Sequence, residues 1–151
     1  MIVYRLCSSA RKEDLSGRGA EITGGRWNIK GTAVVYTSSS RALCVTEIAV
    51  HTPLGCLPVN YCMIEIFIPG TSAIKEILPF ALPRKWQSFE NRHKSQLIGD
   101  TFIRENKELV LKVPSAVVQG DYNYLINPRH IDIRTVQIKN IEDFGFDERL
   151  F

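Results

Sequence analysis

Apolar positions change their period several times along the chain, and each change marks an element. Residues 2–6, IVYRL, form a short β-type run, and a polar, glycine-spotted segment follows it through Gly25. AVVYT at 33–37 predicts a second strand, entered from Gly31 and left through Ser38, Ser39 and Ser40, side chains suited to capping a helix. From about 40 to 51 apolar residues lie on nearly every side of a helical wheel, which predicts a largely buried helix ended by Pro53. NYCMIEIFI at 60–68 is rich in aromatic and β-branched types and reads as a strand, and 73–78 as a shorter one. Between 85 and 105, Trp86, Phe89, Leu97, Ile98, Phe102 and Ile103 recur at helical spacing, with Gly99 weakening the pattern. Strands are expected at 108–113 and 131–138, separated by PSAVVQGDYNYLINPRH. Ile131 and Ile133 are out of step with Val136 and Ile138, so a bulge or bend is expected in the last strand. Without a regular βαβ cycle, the order favours an α+β fold over a doubly wound one.

Composition narrows the function classes. At 151 residues and 44% hydrophobic, the chain suits one compact domain spanning 1–151. The net charge of +3, with both signs mixed along the chain, argues against a nucleic-acid surface, because such binding rests on many clustered phosphate contacts. The amino end does not read as a signal peptide, and no apolar run approaches the roughly 20 residues that span a bilayer. A cytoplasmic protein is therefore expected. Cys7, Cys44, Cys56 and Cys62 lack C-x-x-C spacing and are expected to be reduced structural thiols, Cys44 packing as a small hydrophobe.

Several side chains are candidates for chemistry. Glu47 lies in the oily helix, where a carboxylate must be paired, hydrogen-bonded, protonated or facing a cleft. Pairing with His51 one turn on is the plainer alternative. Arg26 stands in the turn Gly24-Gly25-Arg26-Trp27-Asn28, where glycine lets backbone approach a ligand and guanidinium suits phosphate, although surface arginines in such turns are common. Tyr36 ends a strand, either as a core aromatic or as a platform for a flat ring. Ser115 with His130 and Asp132 raises a serine hydrolase, but the segment lacks the G-x-S-x-G elbow. Asn123, Asn127 and His130 surround a proline turn and read first as turn formers. No metal-binding spacing supports Glu47 with His51, so no metal is expected.

Taken in order, Tyr4-Arg5, Gly25-Arg26-Trp27-Asn28 with Gly31, Tyr36-Thr37-Ser38, Glu47, Val113-Pro114-Ser115, Asn123-Tyr124-Leu125-Ile126-Asn127-Pro128-x-His130 and Phe146-Asp147-x-Arg149-Leu150 resemble the RES domain over nearly the whole chain. Cys44 where alanine is usual and Asp121 where glutamate is common are its departures. The resemblance implies an ADP-ribosyltransferase-like fold of mixed sheets with flanking helices. It also implies the toxin of a bacterial type II toxin–antitoxin pair, whose partner is an Xre-like helix-turn-helix antitoxin that would carry any nucleic-acid binding. The activity implied is depletion of NAD by hydrolysis or phosphorolysis, with protein ADP-ribosylation the alternative and a non-enzymatic binding module the rival class. The family's naming residues fall on Arg26, Glu47 and Ser115, and its active-site tyrosine on Tyr36.

Cleaving the nicotinamide–ribose bond leaves a ribosyl cation, so negative charge is needed where positive charge grows. Glu47 is assigned that role, Arg26 the pyrophosphate, Ser115 phosphate or ribose positioning and Tyr36 stacking on nicotinamide, with Asn28 and Asn123 as further NAD contacts. A partner covering the pocket mouth would meet an exposed apolar patch there.

Overall fold

The computed structural model describes residues 1–151. Seven strands form one sheet: β1 (Ile2–Ser8), β2 (Val35–Ser38), β3 (Tyr61–Phe67), β4 (Ile74–Glu76), β5 (Val110–Pro114), β6 (Tyr122–Ile126) and β7 (Gln137–Phe144), in spatial order β4-β5-β6-β2-β1-β3-β7. All neighbours are antiparallel except β4 and β5. That parallel pair needs a crossover, which α3 (Arg92–Glu105) supplies. Two further helices, α1 (Arg18–Thr23) and α2 (Arg41–His51), complete an α+β fold, as the element order predicts.

Strand alternation divides the apolar residues between the two faces of the sheet. Val3, Val35, Ile64, Ile66, Val110 and Ile126 build the core on one face. On the other, Leu111, Val113 and Leu125 pack with Trp27, Trp86, Phe102 and Ile103 under α3. Leu6 and Met63, directly paired in β1 and β3, pack with Cys44 under α2. The two longer helices thus share a face, and the space between them is where a site can open.

Helix α2 begins where the serines predict: Ser40 Oγ accepts the Leu43 N–H at 3.1 Å. Arg41 ties its start to Glu65 of β3 and Glu142 of β7. The helix is less buried than its composition predicts, with only Leu43 and Cys44 fully buried and Val50 55% exposed. One flank rests on the sheet and the other borders an opening.

Four further expectations are corrected. The helix expected from 85 starts at Arg92, because Lys85 adopts a left-handed φ of 58° and Trp86 turns inward against Trp27. The strand expected at 131–138 is a 3-10 turn at Ile131–Thr135, capped by His130, followed by β7. The bulge lies further on, where Glu65 and Ile66 pair with Asn140 and Ile138 and leave Lys139 over. The polar segments hide α1 and β6; in β6, Asn123 takes an inward position beside Leu125 and breaks the apolar alternation.

Candidate active site

A cleft of about 750 Å³ opens on the helical face, bordered by Arg26, Tyr36, Glu47, Phe89, Arg92 and Asn123 among others. Glu47 lies one turn beyond the buried Leu43 and Cys44, so helical periodicity aims it along their stripe to the edge of the packing. Polar groups of the sheet meet it there. Ser115 Oγ donates to Glu47 Oε1 at 3.0 Å and Asn123 Nδ2 donates to the same oxygen at 2.7 Å. Asn123 is itself fixed by Ser38, its register partner in β2, whose hydroxyl donates to Asn123 Oδ1 at 2.9 Å. Both bonds to the carboxylate fall on Oε1, and no protein group donates to Oε2. The half-buried acid is anchored by one oxygen and bare at the other.

Ser115 is buried, and its hydroxyl also accepts the N–H groups of Val117 and Val118 at 3.0 Å each. All its hydrogen-bonding capacity is taken, so it acts on Glu47 rather than reaching a ligand as expected. It does not meet His130, whose ring instead faces the Asp132 N–H and the Lys107 carbonyl, so no Ser-His-Asp array assembles. His51 borders the cleft, but the partners of Glu47 are Ser115 and Asn123.

The glycine turn is built to hold Arg26. Gly24 takes a φ of 69°, which only glycine adopts without strain. At Gly25 an added Cβ would lie 2.6 Å from the Tyr36 hydroxyl. That hydroxyl accepts the Trp27 N–H at 2.9 Å and donates to Asn28 Oδ1 at 2.7 Å, and burial raises its pKa, keeping it a donor. Helix α3 clamps the same turn: Ser95 Oγ donates to the Arg26 carbonyl at 2.8 Å and Gln96 Nε2 to those of Gly25 and Asn28. Asn28, expected to touch NAD, is fully buried, and its amide donates to the carbonyls of Ala20, Ile29 and Thr32. Its place is inside the turn, away from the cleft. Tyr36 does reach the cleft wall, with its hydroxyl committed behind it.

Arg26 donates through Nη1 to the carbonyls of Trp86 and Ser88, at 3.2 and 3.1 Å, which leaves Nη2 and Nε without protein partners. Its pKa is lowered first by burial and then by Arg92, and raised by Glu47. Arg92 is the residue that sequence reasoning misses. A helix starting at 85 would place it mid-helix among polar neighbours, whereas the true start brings it to the first turn of α3, facing the cleft.

The geometry therefore brings Arg26, Tyr36 and Glu47, which lie close together in sequence, to one cleft and adds Ser115 and Asn123 from far along the chain. Residues 2–147 match the RES domain family. The chain belongs to the RES domain family. A relative from Sphingobium sp. (strain YBL2), named "Prs ADP-ribosylating toxin", is 36% identical over 97% of this chain and 94% of its own length. "Toxin Res" of Pseudomonas putida is 34% identical over the full length of both. "Toxin Res" of Photorhabdus laumondii is 34% identical over 99% of this chain and 97% of its own. With full-length kin of that kind, this RES chain is a toxin. Among solved structures, a chain of the M. tuberculosis MbcT–MbcA toxin–antitoxin complex shares the fold, with a TM-score of 0.76 and 21% identity over 95% of this chain and 84% of that one. No helix of the RES chain is long and apolar enough to cross a membrane.

Proposed function

We propose that this RES toxin cleaves the nicotinamide–ribose bond of NAD. The observation that carries the reading is the half-anchored Glu47 carboxylate, with Oε2 bare in a cleft that also holds Arg26. Breaking the bond between C1′ and the cationic nicotinamide nitrogen sends the electron pair to nicotinamide and leaves positive charge on the ribose. Glu47 opposes that charge from a fixed position, so little reorganisation accompanies the step. Water then adds at C1′ and loses a proton; with phosphate or a protein side chain as acceptor, the same cation is captured instead. Ser115 and Asn123 are positioning residues acting through Glu47. Arg26 holds the pyrophosphate with its free guanidinium edge. The Tyr36 ring packs on nicotinamide, which favours binding more than rate, because that ring is cationic only before cleavage.

Protein ADP-ribosylation is the second reading, favoured by the name of the Sphingobium relative. It shares the first step and differs in the acceptor. A partner antitoxin is supported by the MbcT–MbcA neighbour and by the apolar mouth of the cleft, where Val50 and Phe89 are 55% and 74% exposed. The test is incubation of the purified chain with NAD, with and without phosphate and with lysate protein, followed by product identification. Free nicotinamide in every arm is expected, and the fate of the ADP-ribose names the acceptor. Glu47→Gln should still bind NAD while kcat falls about 100- to 1,000-fold. Undiminished turnover by that variant would refute the assignment.

A further inference from the structure

We propose that Phe89 and Arg92 form the adenylate subsite of the cleft, Arg92 holding the adenylate phosphate and the adenine ring stacking on the Phe89–Arg92 pair at the rim. The proposal rests on the NAD-cleaving reading and assigns the other end of the substrate.

Three observations carry it. First, both side chains border the same cleft as Glu47 and Arg26, and they come from one short stretch, the turn before α3 and its first residue. Second, Phe89 is 74% exposed although it borders a cleft, and the Arg92 guanidinium carbon lies 4.5 Å from its ring centre. A guanidinium over an aromatic ring makes a platform on which a planar base can stack. Third, neither arginine has an acidic partner: Arg26 meets only carbonyl oxygens and Arg92 forms no ion pair. Two unneutralised guanidinium groups in one cleft match a ligand with two adjacent phosphates. The positive end of the α3 dipole adds to that field at Arg92.

The set of groups agrees. Arg26 shares the cleft with both Arg92 and Glu47 and lies near enough to feel the charge of each. The cleft thus gathers a carboxylate, two guanidinium groups and, stacked with the second of these, an exposed aromatic ring. A dinucleotide laid with its scissile bond at Glu47 places its pyrophosphate at the arginines and its adenine at Phe89. The loop is also coupled to catalysis through Arg26, which holds the carbonyls of Trp86 and Ser88 immediately before Phe89.

Nicotinamide mononucleotide carries the scissile bond but lacks the adenylate half, and ADP carries that half without the bond. KM and kcat are measured for NAD and for nicotinamide mononucleotide with the wild type, Phe89→Ala, Arg92→Ala and Arg92→Lys, and ADP binding is measured by calorimetry on the same proteins. Phe89→Ala and Arg92→Ala should raise KM for NAD and weaken ADP binding about tenfold or more, while KM for the mononucleotide moves less than about twofold. Arg92→Lys should recover part of the loss, because charge remains but the stacking plane does not. Equal losses on NAD and the mononucleotide, or no change on either, would overturn the subsite, as would a wild type that fails to bind ADP. A wild type that binds ADP through Phe89 and Arg92 yet cleaves no NAD would keep the subsite and remove the catalytic reading.

Discussion

At the scale of the residue, the decisive feature is the asymmetry of Glu47. Two donors hold one oxygen, and the acid pays part of its desolvation there while its other oxygen stays open to the cleft. Ser115→Ala and Asn123→Ala each remove one hydrogen bond to a charged group, worth about 1.5–3 kcal/mol. Each should lower kcat about 10- to 100-fold with a smaller change in KM for NAD, and the double variant should lose less than the product because both act on one atom. A pure folding defect would instead lower the active fraction, which titration with ADP reports separately. Cys44 gives a second test at this scale. Burial pushes its thiol up to about 11 from an ordinary 9.0. The folded state holds this proton more tightly, so the associated stability is complete below pH 9 and is lost as pH rises through about 11. The loss should reach about 2–3 kcal/mol at most, read from urea unfolding at pH 8 and 10.5, and Cys44→Ala should flatten that pH dependence. Arg26, Tyr36 and Glu47 are legible in the sequence because a glycine turn, a strand end and an oily helix each make a polar or aromatic residue conspicuous. Ser115 and Asn123 are legible as positions but not as anchors of Glu47, since nothing local says that β6 and the end of β5 reach α2.

At the scale of the element, α3 shows how one residue can mislead a propensity argument and still be essential. Gly99 weakens the helical pattern, yet it sits buried in α3 where a Cβ would come within 1.7 Å of the Trp27 carbonyl oxygen. Glycine is there because the backbone of the Arg26 turn packs directly on the helix. Gly99→Ala gains intrinsic helix propensity of about 1 kcal/mol, but must part α3 from that turn. A net destabilisation of at least about 2 kcal/mol is expected in urea unfolding, together with weaker NAD binding, because Ser95 and Gln96 lose their hold on the turn. A variant more stable than the wild type would be incompatible with so close an approach of Gly99 to the Trp27 carbonyl. Strands dominated by apolar and β-branched residues, β3 and β5, are readable from pattern, whereas β6 is not, because its Asn123 faces the site. The start of α3 is missed for a related reason: Trp86 and Phe89 supply helical spacing from within a turn.

At the scale of the whole molecule, the site is assembled from residues 26, 36, 47, 115 and 123, on a turn, two strands, a helix and the segment after a fifth strand. The Glu47 carboxylate meets Ser115 and Asn123 only when β2 pairs with both β1 and β6 and α2 packs on the same face as α3. Ligand binding and global folding should therefore be strongly linked, since the carboxylate and its two anchors come together only across long-range contacts of the folded chain. For a ligand at 100 times its Kd that binds only the folded state, the stabilisation is about 2.7 kcal/mol. In a chain of this length that corresponds to a rise in Tm of roughly 5–10 °C. Glu47→Gln supplies the clean measurement, because glutamine keeps the acceptor oxygen that Ser115 and Asn123 hold, while slow turnover keeps NAD intact during heating. Its Tm should rise with NAD concentration along the logarithmic curve of mass action. Adding Arg26→Lys should flatten that curve, because an ammonium at the end of a lysine cannot both hold the carbonyls of Trp86 and Ser88 and meet the pyrophosphate. A Tm of the Glu47→Gln protein that stays fixed at millimolar NAD would show that the cleft does not take the dinucleotide, whatever the sequence kinship implies.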